Sequence, residues 1–336
     1  MVKKLHPLND RLFKTAYIEK GDIMTLKIET SKTSKNTWIY AGALLILLIA
    51  ATFIFGLHVL WLTVVSFAVS LLFEYLFAKF RKKPLDAEWM ITPLLLVLLL
   101  PPAIPLWTIG IAAFFALLFG KGIFGGSGKY IFTPALVGYV FVLISFPQHM
   151  ALSYMDPITD IIGGVTPLNN LNGGVTPYPY TIQQLLLGNV PGSIGETFRL
   201  GIILLGVLLM GLKVIDFKVP LTYLATFFLL TAIFYFIFPD YVNGRGVSYG
   251  KDPLTSLFVG SILFGAFFLS ADTTISPASL KGKIIFGLGL GFLTFVIRNF
   301  ATFQEGVTFS LLIMAAISPL IDLKFPNEAV IEEVKA

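Results

Sequence analysis

The sequence predicts an all-α integral membrane protein with about ten membrane-spanning helices. Two compositional facts and one pattern carry this expectation. Of the 336 residues, 56% are hydrophobic and only 13% are charged, whereas soluble chains carry roughly 25% charged residues. The apolar residues gather into runs near the roughly 20 that a helix needs to cross a bilayer core. Water cannot be the solvent for most of such a surface.

The runs place spans near 38–56, 59–79, 88–101, 105–120, 131–147, 197–212, 219–238, 255–270, 284–299 and 306–322. They divide the chain into an N-terminal tail (1–37), a first membrane unit (38–147), a long loop (148–196), a second membrane unit (197–322) and a C-terminal tail (323–336). The first residues are rich in charge and lack the apolar core of a signal peptide. They read as a cytoplasmic tail, with Met24 as an alternative start.

Ten spans put both termini on one side. With that side cytoplasmic, all of the 24 Lys and Arg residues except Arg199, Arg245, Lys251 and Arg298 fall in the tails or cytoplasmic loops. This is the bias that orients membrane proteins. The loop 148–196 has no Lys or Arg and faces outward. The net charge of +5 therefore orients spans, and nucleic acid is excluded as a partner. Lipid is the first partner, in a cell inner membrane.

Five spans precede the long loop and five follow it, so the two halves run in opposite senses. Each half carries an interruption after its third span, Leu98–Trp107 and Phe268–Pro277. Matched breaks in inverted halves point to a central ligand or ion site; the alternative is ordinary loops in a helical bundle.

The chain has no cysteine, which excludes disulfides, thiolate-held iron–sulfur clusters and c-type haem. His6, His58 and His149 sit at segment ends or in the tail, so a bis-histidine haem inside the membrane is not expected. An electron carrier here would be a flavin.

Four stretches could carry chemistry. Residues 124–138, FGGSGKYIFTPALVG, lack the Walker pattern, because Ile123 and Tyr130 stand where Gly and Ser/Thr are needed. The amides around Gly125, Gly126 and Lys129 can still receive an anion or the polar edge of a ring, or the stretch is a flexible re-entrant loop. Residues 156–178 contain GGVTP twice, ending at Pro167 and Pro177. Glycines before Thr would make its hydroxyl accessible to another protein; a pair of turns is the plainer reading. Residues 187–198, with Asn189, Gly192 and Ser193, offer unpaired amides at a helix start, where Glu196 would also suit the helix dipole. Residues 270–277 set Asp272 and Thr273 at an interrupted helix, as a candidate Na⁺ path or a capped polar loop. Glu74 is either a functional acid inside the membrane or an interfacial partner of Lys79 and Arg81, and Glu305 would pair with Arg298.

Taken together, these stretches resemble one family: the RnfD component of the Rnf ferredoxin:NAD oxidoreductase and its relative, the NqrB component of the sodium-translocating NADH:quinone reductase. The resemblance runs from about Phe73 to Asp322 through LPPAIPLW (100–107), FGGSGK and PALVG (124–138), GNVPGSIGE (188–196), ADTTISP with Lys281-Gly282 (271–282), and the IR and EGV pairs (297–307). It implies FMN joined through its phosphate to Thr166 by a flavin transferase, in the pattern Asp160, Gly164, Thr166. Gly163 and Val165 replace the family's usual Ser and Ala, and Thr176 is a second candidate without the Asp. Thr133 stands for the usual Asn, and Thr273-Thr274 for the usual Pro-Val. The resemblance also implies riboflavin in some members and two inverted five-helix repeats of urea-transporter-like fold. Partners would be the other subunits of the complex, one of them flavin-bearing. The implied activity is electron transfer coupled to Na⁺ or H⁺ movement, by a complex rather than by this chain alone. The ISPASLKGK stretch (275–283) favours the Rnf branch. A non-redox channel or transporter of the same fold is the competing class.

Overall fold

Apolar runs fold in lipid only as helices that satisfy their own backbone, and the computed structural model follows that rule. It describes residues 34–175, 178–238, 251–301 and 305–326. Both predicted tails lie almost wholly outside these residues, as do Thr176 and Arg245.

Among the described residues all regular structure is helical, apart from a lone antiparallel bridge between Met155 and Ile162. In chain order the helices are α1 (Lys35–Phe55), α2 (His58–Arg81), α3 (Ile91–Leu99), α4 (Leu106–Phe115), α5 (Pro134–Ser145), α6 (Pro147–Leu152), α7 (Pro167–Asn172), α8 (Ile182–Leu187), α9 (Arg199–Gly211), α10 (Lys218–Ile237), α11 (Pro253–Phe258), α12 (Ile262–Phe264), α13 (Leu280–Phe300) and α14 (Val307–Lys324). Five of them, α1, α2, α10, α13 and α14, are long and apolar enough to cross a membrane. The chain is a multi-pass membrane protein.

The shorter helices have local causes. Pro101, Pro102 and Pro105 follow α3, and proline cannot continue a helix; the chain stays non-helical until Leu106. The predicted span 255–270 breaks inside itself, a feature not anticipated. Asp252 caps α11 by accepting the Thr255 amide at 2.7 Å. The helix then stops at Val259–Ser261, where Gly260 adopts φ +66°. Two helices end in π-helical turns, α4 into Ala116–Gly122 and α12 into Gly265–Leu269. Such turns are rare and tend to mark functional positions.

The halves close around a core in which α10 and α13 pack through glycines. A β-carbon on Gly291 would lie 2.6 Å from the Thr226 β-carbon and 2.8 Å from the Tyr223 carbonyl oxygen. Small residues let helix backbones approach in lipid, where packing replaces the hydrophobic effect. Gly291→Ala is therefore expected to cost about 1–3 kcal/mol of overpacking. Thermal denaturation in detergent should show a lower Tm than for Gly42→Ala, whose added carbon meets nothing within 4 Å.

Candidate functional site

The residues singled out above assemble at two ends of the bundle, not at one. The segment from Leu106 to Gly122 separates those ends by roughly 25 Å at about 1.5 Å per residue.

At the first end, the turn after Leu269 and the loop after Gly122 meet. Asp272 accepts hydrogen bonds from the Tyr130 hydroxyl (3.0 Å), the Thr133 hydroxyl (3.1 Å) and the Thr274 amide (2.9 Å). It lines a cavity of about 260 Å³ together with Tyr40, Glu88, Thr92, Lys121 and Thr273. The Tyr40 hydroxyl donates to the Phe268 carbonyl at 2.6 Å, satisfying an oxygen at the end of the second π turn.

The glycine loop beside this cavity does receive an anion, but one of the chain's own. Gly125 and Gly126 take φ of +111° and +107°, and the following amide, of Ser127, donates to the Asp86 carboxylate at 2.7 Å. Burial works to raise the Asp86 carboxyl; Lys121 beside it and the amides of Ser127 and Glu88 outweigh burial and hold it below the usual carboxylate range. Lys129 is exposed. Glu74 pairs with Lys121 at 2.5 Å, not with Lys79 or Arg81 as expected. Arg81 turns instead to the Gly122 carbonyl and stands over the Phe77 ring.

At the second end lies the long loop. Asp160 occupies the left-handed region (φ +56°) in a turn closed by the Met155–Ile162 bridge. The amides of Gly163 and Gly164 both donate to the Tyr154 carbonyl, at 2.7 and 3.3 Å. Thr166 then caps α7, its hydroxyl oxygen accepting the Asn169 amide at 3.3 Å. Thr166 is buried, 8% exposed, which corrects the expectation of an accessible hydroxyl; Val165, at 56%, is what faces outward. Two tyrosines flank the cap, Tyr180 donating to the Val165 carbonyl and Tyr178 to the Pro167 carbonyl.

The GNVPGSIGE stretch meets this loop, since Pro191 would touch a β-carbon on Gly164 at 3.3 Å. Its amides are not free, a second correction. Ser193 donates to Glu196 at 3.0 Å, Ile194 to the Leu100 carbonyl at 3.0 Å and Gly195 to the Leu98 carbonyl at 2.7 Å. They serve the broken end of α3. Asn189 is exposed and Gly192 buried. Behind them, Tyr139, Tyr154, Ser193, Glu196, Ser261 and Glu305 surround a cavity of about 10 Å³, the size of one water. Arg298 pairs with Glu305 at 3.4 Å, as expected, and also donates to the Ser256 and Val259 carbonyls at 3.1 and 3.2 Å.

Residues 27–330 match the NQR2, RnfD, RnfE family. The chain belongs to this family. It is similar to the D component of an ion-translocating oxidoreductase complex of Pseudomonas aeruginosa, 33% identical over 82% of this chain and 85% of that protein. It is equally similar to the D component of a proton-translocating ferredoxin:NAD(+) oxidoreductase complex of Clostridium ljungdahlii, 33% identical over 86% of this chain and 89% of that one. The D component of a Na(+)-translocating ferredoxin:NAD(+) oxidoreductase complex of Acetobacterium woodii is 33% identical over 86% of this chain and 87% of its own length.

In this family member the residues expected around one flavin are therefore divided. Gly125, Gly126 and Lys129 share an end with Asp272 and Thr273; Asp160, Gly164, Asn189, Gly192 and Ser193 share the other with Thr166. Sequence reasoning missed Lys121, Tyr40, Tyr130, Tyr139 and Tyr154. A signal existed for Lys121, a lone charge at the end of an apolar run. The tyrosines carried none, being unremarkable within apolar spans.

Arg298 is the most exacting of these groups, being 3% exposed and bonded to two separate stretches of chain, 256–259 and Glu305. Arg298→Gln should destabilise by about 3–5 kcal/mol, as for one broken partner of a buried pair. Arg298→Lys should not rescue it, since an ammonium lacks the forked geometry. Thermal unfolding of the purified protein reads both.

Proposed function

We propose that this chain is the membrane component of an Rnf-type, ion-translocating ferredoxin:NAD oxidoreductase complex, with FMN esterified to Thr166. The observation that carries the complex assignment is the match over nearly the whole chain to proteins named as the D component of such complexes. On this reading the chain crosses the inner membrane ten times, in two inverted five-helix halves of urea-transporter-like fold. Both termini are cytoplasmic, and Thr166 faces outward. The other subunits, a flavin-bearing one among them, and a flavin transferase are its partners.

The second end fits a flavin carried on Thr166 in three respects. The hydroxyl stands at a loop–helix junction outside the long apolar helices. Its bond to Asn169 uses an oxygen lone pair and leaves the hydroxyl hydrogen to be exchanged for the phosphoryl group of the ester. Tyr178 and Tyr180, set edge to face at 5.8 Å, offer ring surface beside it. Because Thr166 is turned inward, modification requires residues 163–166 to be drawn out, and Gly163, at φ +88°, is the hinge that permits it. When bound, the flavin supplies the electron-transfer chemistry. The chain orients it, keeps its anchor outside the membrane core, and joins the loop to the carboxylates of Glu196 and Glu305. Riboflavin, held without a covalent bond, is part of the same proposal.

The first end supplies the ion path on this reading. Asp272 and Thr273 line the cavity of about 260 Å³. Phe264, stacked on Phe268 at 5.3 Å, lines the small cavity near Glu196. Hard oxygen ligands of this kind suit Na⁺, and carboxylates also carry H⁺. An NqrB-type component of a quinone reductase is the nearest alternative. A non-redox channel is favoured only by the large cavity and the broken helices; solute flux by the isolated chain in liposomes, without partner or reductant, would select it.

In-gel flavin fluorescence of denatured protein, co-expressed with a flavin transferase, tests the assignment. The wild-type and Thr176→Ala bands should fluoresce, and Thr166→Ala should be dark. Fluorescence retained in Thr166→Ala removes Thr166 as the anchor, and a dark wild-type band removes covalent flavin.

A further inference from the structure

The ion pair at the first end divides two cavities. Lys121 is 3% exposed, yet it lines both the cavity of about 260 Å³ and a second of about 80 Å³. Among the described residues it is the one shared by the two. Glu74 and Asp86 line the smaller cavity together with Arg81 and Lys83, and Glu88 and Asp272 line the larger. In the larger cavity Lys121 is the sole cationic lining residue among those described.

We propose that the Lys121 ammonium is a built-in cation that closes the connection between these cavities, and that a monovalent cation passing between them must displace it. The inference rests on the reading of this chain as an ion-moving subunit. Three observations support it. The ammonium lies 2.5 Å from Glu74 and 3.4 Å from Asp86, so it already fills the place a cation would take between two carboxylates. Its four-carbon stem is flexible and its head is a point charge, so it can exchange one carboxylate neighbour for another. It also rides on the π turn Ala116–Gly122, which leads into a loop with three glycines at positive φ, Gly125, Gly126 and Gly128. A purely structural pair would be packed on every side; this one has open space on two.

The arrangement here is the one in which Lys121 sits with Glu74 and Asp86, so that Glu88 and Asp272 face the larger cavity without a salt bridge among the described residues. A cation entering there is repelled by the ammonium and attracted by the carboxylates. Removing the ammonium should strengthen binding, and removing Glu74 with it avoids leaving that buried carboxylate uncompensated.

The test uses the full-length chain in its purified complex, with NaCl as probe and choline chloride as the ionic-strength control. The readout is the Na⁺-dependent rise in thermal stability, which needs neither flavin nor electron transfer. In Lys121→Gln/Glu74→Gln the half-saturating Na⁺ concentration should fall about tenfold relative to wild type, as expected of two cations competing for one site. Lys121→Arg, which keeps the charge, should stay close to wild type. An Na⁺ response in the double variant alone would also support the gate. A wild-type response with half-saturation unchanged or raised in the double variant overturns the gate and leaves the ion-path reading standing. No Na⁺-specific response in either protein overturns both, independently of the fluorescence assay on Thr166.

Discussion

Carbonyl groups left open where membrane helices break must find donors inside the protein. In hydrocarbon an unsatisfied backbone group costs several kcal/mol, and this chain interrupts helices at Leu100–Pro105 and again at Val259–Ser261. Each opening is met by a specific group. The amides of Gly195 and Ile194 reach the Leu98 and Leu100 carbonyls, the Ala103 amide reaches the Ser153 carbonyl, and a ring nitrogen of His58 lies 3.0 Å from the Ile104 carbonyl. At the second break the donor is Arg298, which serves Ser256, Val259 and Glu305 together. The conspicuous features of the sequence follow from this demand. Gly195 has no side chain because a β-carbon there would lie 2.6 Å from that of Leu98, and Arg298 is cationic because one group must satisfy several oxygens.

The helical segments were readable because lipid imposes a simple rule on composition, and five of them are long and apolar enough to cross a membrane. Every predicted span overlaps an observed helix, and the proline-marked end of α3 falls where Pro101 and Pro102 put it. The break at Gly260 was not readable: a lone glycine inside an apolar run has no distinctive surroundings, and its neighbours Val259 and Ser261 are bonded to Arg298 and Glu305, distant in the chain. The same limit applies to the polar groups. The Arg298–Glu305 pair was visible because the two residues are close in the chain. Lys121 and Glu74 meet across 47 positions, and Tyr40 reaches Phe268 across 228; nothing local announces either. In the segments the motifs marked, several backbone amides are already in use, those of Ser127, Ser193, Ile194 and Gly195 among them.

That reuse changes what the motifs mean. The glycine loop after Gly122 resembles an anion cradle and is one, for Asp86. The GNVPGSIGE stretch resembles a helix start with free amides, and instead repairs a broken helix while pressing Pro191 against Gly164. Both are places where a ligand-binding pattern is satisfied internally. Their local rules were read correctly, and only the tertiary partner was unknown.

The separation of the two ends constrains how an outer redox event could act on an inner ion site. At roughly 25 Å and an effective dielectric near 20, two unit charges interact by only about 0.7 kcal/mol. Moving one charge against 100 mV takes about 2.3 kcal/mol. Direct Coulomb force across this bundle is therefore too weak to drive transport, and coupling has to run through an element with two arrangements. The broken segments are the parts placed to supply one. The stretch 193–196 is bonded to the end of α3 on one face and joined to the Thr166 loop through Pro191 on the other. The π turn Gly265–Leu269 carries Phe268, tied to Tyr40, directly into the turn that holds Asp272. On the proposed reading, a change of packing in the long loop would act through these irregular segments, where rearrangement costs fewer helical bonds than in the regular helices.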